Sequence, residues 1–320
     1  MIPMHENDVV ITGMGIISPL GLNARDSSCN FDESRFPVPV PLPQLAGSPM
    51  QDNLAFKIPD FNAGKLLGGK RMLKYMSEAS VLGCIAAKEA AADAGMAQRF
   101  TPERTGLFAA TGLATADIDD VRPVIEKSMD EKGNFSCRLL GKQGLASANP
   151  LMSFKILSNI PACLVSIQEN VKGASLIFNP WEGQAGAALY EAWLSIICGE
   201  SDCALAGGAD FASHPSTYVY LRQSNILGNG EFPSVGAAYL FMEKAETAIR
   251  DKKSIYAVIA GMELETSELP VNDPMSEKIG RCFAAAPAIQ LALAARTNRG
   301  NIEITGVDRM TFRVRLEDPA

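Results

Sequence analysis

The spacing of apolar and polar residues changes period several times along this chain. Val9-Val-Ile-Thr-Gly-Met-Gly-Ile-Ile17 is a nearly unbroken β-rich run closed by Ser18-Pro19-Leu20-Gly21, which predicts a strand with apolar surroundings followed by a loop. From Tyr75 to Ala94 the residues Ala79, Leu82, Ile85, Ala86 and Ala90 form one stripe at helical spacing, and Gly95 stands where such a helix ends. Arg104 to Gly112 reads as a strand, and Met152 to Asn170 as a helix entered after Asn149-Pro150. A short strand is predicted over Ala174 to Phe178. Behind it Leu189, Ala192, Trp193, Ile196 and Ile197 return to helical spacing, so Trp181 to Gly186 is predicted to be a strand-to-helix corner. Strands over Asp202 to Ala206, Ala237 to Glu243 and Ile255 to Gly261, with a helix over Lys244 to Asp251, complete the series. Alternation of this kind predicts an α/β layered protein.

Composition narrows the function classes. With 320 residues, 47% hydrophobic and 20% charged, the chain can bury a large core as one packed unit or two fused halves. No apolar run reaches the length of a membrane span, and the opening Met1-Ile-Pro-Met-His-Glu-Asn-Asp lacks a basic segment followed by an apolar one, so cytoplasmic residence is expected. A net charge of −7 argues against nucleic acid as a main partner. The cysteines at 29, 84, 137, 163, 198, 203 and 282 show no metal-binding spacing. Cys84, Cys163, Cys198 and Cys203 lie in apolar runs, which predicts buried, reduced thiols. Gly13-Met-Gly15 lacks the third glycine of a dinucleotide loop and leads into Ser18-Pro19 instead of a helix start. No cofactor or metal is expected.

The stretch Val171-Lys-Gly-Ala-Ser-Leu-Ile-Phe-Asn-Pro-Trp-Glu-Gly-Gln-Ala-Gly186, with the helix to Gly199 and Ala206-Gly-Gly-Ala-Asp210, resembles the nucleophile region of β-ketoacyl synthases. The words Ala87-Lys-Glu-Ala and Ala92-Asp-Ala-Gly95, and the opening strand and turn, are similar to that family as well. The family carries its cysteine nine residues after the first motif's glycine and seventeen before the glycine that ends the helix. Counted from Gly173 and from Gly199, both spacings fall on Glu182. Glu182-Gly-Gln184-Ala-Gly is also similar to the Glu-Gln-Ala-Gly phrase of chain-length factors, the cysteine-less partners of ketosynthases, with Gln184 two residues out of that register.

Condensation on a carrier thioester needs a nucleophile for the acyl group and polar groups that stabilise the developing enolate. By resemblance, Arg281 in Gly280-Arg-Cys-Phe-Ala-Ala-Ala-Pro stands where the family has its second catalytic histidine, and Ser276 where it has a lysine. The first histidine motif has no counterpart, and the terminal glycine-rich motif is reduced to Gly306-Val-Asp-Arg-Met310. The two histidines present, His5 and His214, fall in neither motif.

The resemblance implies a thiolase-like α/β/α/β/α layered fold with a shortened C-terminal half. Residues 1–250 would form the first ketosynthase-like half and 251–320 a trimmed second half of one compact unit. Strands from Val9, Arg104, Ala174, Asp202 and Ala237 are expected in one mixed sheet, and those near Ile255 and Arg309 in another. In function it implies a non-catalytic chain-length factor of a type II polyketide synthase, for aromatic polyketides or aryl polyenes. Such a subunit heterodimerises with a cysteine-containing ketosynthase near the strand Ala174 to Phe178, shapes its acyl tunnel, and meets the acyl carrier protein through that partner. Leu113, Ile118 and Val121 are then expected at the tunnel's far end, with Trp181 and Glu182 at the interface. Whether Arg281 bridges to Glu182 is left open. Two alternatives stand beside this reading: decarboxylation of a malonyl carrier thioester supported by Glu182 or Gln184 to supply starter units, and a degenerate scaffold for another acyl-transfer enzyme.

Overall fold

The computed structural model describes residues 5, 7–47, 50, 52–114, 116–297 and 300–319. From the N-terminus the principal elements are β1 (Val9–Ile17), α1 (Ala24–Asp32), the short β2 (Val40–Pro41) and β3 (Leu54–Ala55), α2 (Glu78–Ala94), β4 (Thr105–Thr111), α3 (Ile118–Lys127), α4 (Ile160–Glu169), β5 (Ser175–Phe178) and α5 (Glu182–Ile197). They continue with β6 (Cys203–Phe211), α6 (Pro215–Gln223), β7 (Val235–Lys244), α7 (Ala245–Arg250), β8 (Ala257–Thr266), α8 (Ala286–Thr297), β9 (Asn301–Thr305) and β10 (Met310–Glu317). β2 and β3 pair only with each other; the other eight strands form one mixed sheet in the order β5-β4-β6-β7-β1-β8-β10-β9. β4 runs parallel to β5 and β6, and the remaining neighbours are antiparallel.

Every residue of β1 is buried, as an unbroken apolar run with a layer on each face requires. Its glycines lie mid-strand. A Cβ on Gly13 would sit 2.3 Å from the Ala90 carbonyl oxygen, and one on Gly15 2.0 Å from that of Ala86, so glycine is what lets α2 lie against the strand. The Ser77 hydroxyl caps α2 by accepting from the Ser80 N–H, and Gly95, at φ 68°, ends it in the left-handed conformation.

The sheet corrects the expectation of two separate sheets. β8 pairs with β1 over three residues only, Val9 with Ile259, Val10 with Val258 and Ile11 with Ala257, and this seam joins β8, β10 and β9 to the first five strands. Beyond it the β1 amides of Met14 and Ile16 face no strand. Asp93 and Glu89 of α2 accept from them, each at 3.1 Å, so the ladder's unpaired donors stay satisfied.

The sheet wraps around α5 and α8, which touch strands on both sides of the seam. α2 and α4 cover the opposite face of the first strands. One core lies between: Ala204, Ala206, Leu240 and Met242 meet Leu189, Ile196, Ile289 and Leu293, and Phe312, Val314 and Leu316 close it from β10. The other face of β8, β10 and β9 is charged, with Arg313 bonded to Glu265 and Glu303 across the strands. The layers therefore run α/β/α/β among the described residues.

Two further boundaries differ from the sequence reading. The helix expected from Met152 to Asn170 breaks at Leu157, separating a short turn over Met152–Ile156 from α4. Of the thiols expected to be buried, Cys84 and Cys203 are, Cys163 is half-buried and Cys198, at the end of α5, is exposed. No helix among the described residues is long and apolar enough to cross a membrane.

Candidate functional site

The corner between β5 and α5 forms where the sequence places it. The chain leaves Phe178, passes a cis Asn179–Pro180 bond, and enters α5 with Trp181 at the N-cap and Glu182 as the first helical residue. Trp181 offers no capping hydrogen bond. Asp308 does so from a distance, its carboxylate accepting the Gly183 and Gln184 N–H groups at 3.3 and 3.0 Å. A Cβ on Gly183 would lie 2.3 Å from Met310 Cβ and one on Gly186 2.6 Å from Phe312 Cβ. The two glycines admit β10 and the loop before it across the helix N-terminus, which brings Gly306-Val-Asp-Arg-Met310 onto the corner.

Glu182 is wholly buried, and its Oε1 accepts from Arg281 Nη2. Its Oε2 accepts the Val307 N–H at 3.3 Å, and the positive end of α5 favours the carboxylate at this position. Arg281 is itself 2% exposed. Gly280, at φ 79°, turns the chain where a Cβ would lie 2.5 Å from the Phe56 ring. The Arg281 backbone then bonds to Phe232 and Ser234. Its guanidinium lies 4.8 Å from the centre of the Phe283 ring, against which Trp181 packs edge-on at 5.4 Å.

More carboxylates converge on this arginine than it can pair. Glu231 accepts from Nη1 at 3.2 Å, and Asp273 Oδ2 lies 4.0 Å from Nε. Neither of those last two atoms has a hydrogen bond. Asp273 Oδ1 accepts from Gln290 Nε2 at 2.7 Å and from the Met275 N–H at 3.1 Å. Burial, reinforced by the Glu182 charge and opposed by Arg281, pushes the Asp273 carboxyl up to about 7. Asp210, at the end of β6, accepts the Ala284 N–H at 3.1 Å. Burial, reinforced by Glu182 after one backbone bond opposes it, pushes its carboxyl up to about 8. Burial acts against charge on Arg281, but Glu182, Asp273 and Glu231 outweigh it and hold the guanidinium above its usual range. The corner is a closed ionic cluster. It presents neither thiol nor imidazole: Cys282 beside it is buried and pushed well above the usual thiol range, first by burial and then by Asp210 and Asp273.

This strand, corner and helix, with a glycine-rich strand behind, lies within residues 6–235, which match the family model "Beta-ketoacyl synthase, N-terminal domain". The chain belongs to the β-ketoacyl synthase family. It is 20% identical over 308 residues to 3-oxoacyl-[acyl-carrier-protein] synthase 2 of Synechocystis, covering 91% of this chain and 70% of that one. The enzyme of the same name from Coxiella burnetii is 24% identical, with 88% and 69% covered. The chain spans 65% of the length of a mitochondrial relative in Schizosaccharomyces pombe. Among solved structures, the ishigamide ketosynthase/chain length factor superposes with a TM-score of 0.78 at 17% identity, covering 99% of this chain and 100% of the matched chain. A type II polyketide synthase acyl-carrier protein in complex with its ketosynthase gives 0.76 at 15%, with 98% and 100% covered. A β-ketoacyl synthase from Burkholderia phymatum gives 0.66 at 20%, with 91% and 70% covered. These likenesses establish the thiolase-like ketosynthase fold.

Within that family fold, the residues singled out from sequence separate into two places. Glu182 and Arg281 meet directly, and Trp181 packs edge-on against the Phe283 ring that lies beside Arg281. Glu182 was expected at an interface, but the chain's own Arg281 seals it inside. Gln184 turns its amide toward Met310 Sδ at 3.3 Å and stays out of the cluster. Leu113 is half-buried on one side against the apolar cluster that contains Phe283 and Tyr218. On the other it lines a cavity of about 290 Å³ at the ends of β4 and β6. Ile118 and Val121, half-buried on α3, do not line that cavity, because the chain turns at Asp117 to start the helix. The sequence reading did not assign Asp273, Glu231, Asp210 or Asp308 to the site. Asp210 had a signal in Gly207-Gly-Ala-Asp210, whereas Asp273 and Glu231 come from loops with no motif.

Proposed function

We propose that this chain is a non-catalytic chain-length-factor subunit that pairs with a cysteine-containing ketosynthase and shapes its acyl tunnel in type II polyketide synthesis. The observation that carries the reading is the corner itself. Where the family holds its nucleophile, this chain holds a buried carboxylate locked to an arginine. End-to-end superposition on matched chains from complexes described as a ketosynthase with its carrier protein and a ketosynthase/chain length factor supports it, whereas the Burkholderia synthase is covered over 70% of its length.

The partner's seat in this reading is the β5 side of the molecule. β5 is an edge strand, paired only with β4, and Leu176 on it is 45% exposed. Phe135, Leu145, Leu157 and Ile167 are exposed in the segment that precedes it. A free strand edge beside apolar side chains calls for a protein cover. The acyl carrier protein engages the partner, and the pair works in the cytoplasm. Leu113 and its cavity form the end of the shared tunnel.

Co-expression with a cysteine-containing ketosynthase, followed by size-exclusion chromatography, tests the assignment. A stable heterodimer with polyketide-forming activity is expected, and a monodisperse monomer without affinity for any ketosynthase would overturn it. Incubation with malonyl carrier protein tests the decarboxylase alternative: carbon dioxide release by the chain without its partner, abolished by Glu182→Gln, would favour that reading instead.

A further inference from the structure

The cavity beside Leu113 carries on its wall a ring nitrogen of His214 that has no hydrogen-bond partner among the described residues. Its walls include Met76, Val81, Leu113, Pro161 and Phe211, and it opens at the carboxyl ends of parallel strands, where ligands of α/β sheets commonly sit. His214 also lines it, 8% exposed, with its ring edge-on to Phe211 at 5.5 Å. His214 Nδ1 accepts the Ser216 N–H at 3.3 Å and so caps α6. That bond commits Nδ1 as the acceptor and leaves the proton of the neutral ring on Nε2. Burial holds the imidazole below its usual pKa, against the opposing charge of Asp117. No partner for Nε2 exists among the described residues. Of the other polar groups at the cavity, Lys155 pairs with Asp120 at 2.7 Å, the Thr111 hydroxyl donates to the Ser158 carbonyl at 2.9 Å, and the Glu78 and Asp117 carboxylates are exposed to solvent.

We propose that His214 Nε2–H donates a hydrogen bond to an oxygen near the far end of an acyl chain held in this cavity. The chain it accepts thus carries a ketone or hydroxyl there and is not plain hydrocarbon. This rests on reading the cavity as the end of the partner's acyl tunnel. A hydrocarbon in the same place leaves the donor buried and unpaired, which is the larger penalty.

Because the chain has two histidines, a His5→Gln background isolates the His214 ring in imidazole nitrogen NMR. The probes are the hexanoyl thioester of N-acetylcysteamine and its analogue with a ketone next to the terminal methyl, added to the chain as it purifies, alone or with its ketosynthase. The ketone probe is expected to move the Nε2–H resonance and to bind about fivefold more tightly than the hydrocarbon. His214→Phe should level the two affinities. His214→Asn, which keeps a capping side chain and a donor, should retain the preference, with thermal unfolding confirming that each variant is folded. Equal affinities in the unmodified chain, or an unmoved resonance with both probes, would overturn the proposal. Such an outcome, beside an intact heterodimer whose products respond to Leu113, removes the role of His214 and leaves the tunnel reading standing. Loss of the heterodimer removes the tunnel reading itself.

Discussion

Asp210 and Phe211 are consecutive residues at the end of β6, yet they face two different chemistries. Asp210 points into the ionic cluster of Glu182, Arg281 and Asp273, and Phe211 into the apolar cavity of Leu113 and His214. A strand sends successive side chains to opposite faces, so the carboxyl ends of β4 and β6 serve both. In the first, Glu182 meets Arg281 inside the fold, while Asp273 Oδ2 and Arg281 Nε lie close without a hydrogen bond. The second is a cavity with Leu113, Phe211 and His214 among its walls. Strand alternation thus sets an ionic cluster on one face of these strand ends and a cavity on the other.

The sharpest way to break this contrast is to unpair the cluster. Arg281→Ala leaves Glu182 and Asp273 buried without their cation and should cost about 3–5 kcal/mol in chemical denaturation. Replacing both members, Glu182→Leu with Arg281→Met, should cost distinctly less. A double change as damaging as the single one would show that the pair does more than neutralise itself.

Acidity tests the cluster from another direction. Asp210, Asp273 and, under β1, Glu89 have carboxyls raised to about 8, 7 and 7, in each case mainly by burial. Groups raised in the folded state contribute stability that is fully present below their unfolded values of 3.8 and 4.5 and is lost as pH rises through 7 and 8. Unfolding free energy should therefore fall progressively from about pH 4 to about pH 8, by several kcal/mol in all. Asp210→Asn and Asp273→Asn should flatten that slope, while cavity variants leave it alone.

The smallest energies belong to the cavity, where the readout is the product. Overfilling a packed space costs roughly 1–3 kcal/mol, so Leu113→Phe should shorten the chains made by the co-expressed pair and Leu113→Ala should lengthen them, by mass spectrometry. Ile118→Ala and Val121→Ala should leave the distribution unchanged, since neither residue reaches the cavity. If all four variants lower yield without moving chain length, Leu113 is ordinary packing and the second region carries no specificity.

Much of this was legible in the sequence because it depends on local spacing. Glycine counts from Gly173 and Gly199 placed Glu182 at the corner, and helical periodicity placed the helix behind it. The Glu182 to Arg281 contact was not legible, since it depends on how the loop at Gly306 and the turn at Gly280 close over the corner. The order of the family's segments places Ile118 and Val121 at the tunnel's far end, whereas the structure sets them on a helix capped by Asp117, away from the cavity beside Leu113. The cavity-facing donor was hidden for a similar reason: His214 shows its value only once Ser216 has claimed the opposite ring nitrogen.

The three-residue seam between β1 and β8 makes the protein mechanically uneven. Five strands are knitted to one another along most of their lengths, whereas β8, β10 and β9 hang from the rest by one short run of ladder bonds and the packing of α5 and α8. Cooperative opening units tend to follow such boundaries. Amide hydrogens of β8, β9 and β10 should therefore exchange as a group before those of β4, β6 and β7, and each such opening would bare the loop that carries Asp308 and so uncap α5 at the corner.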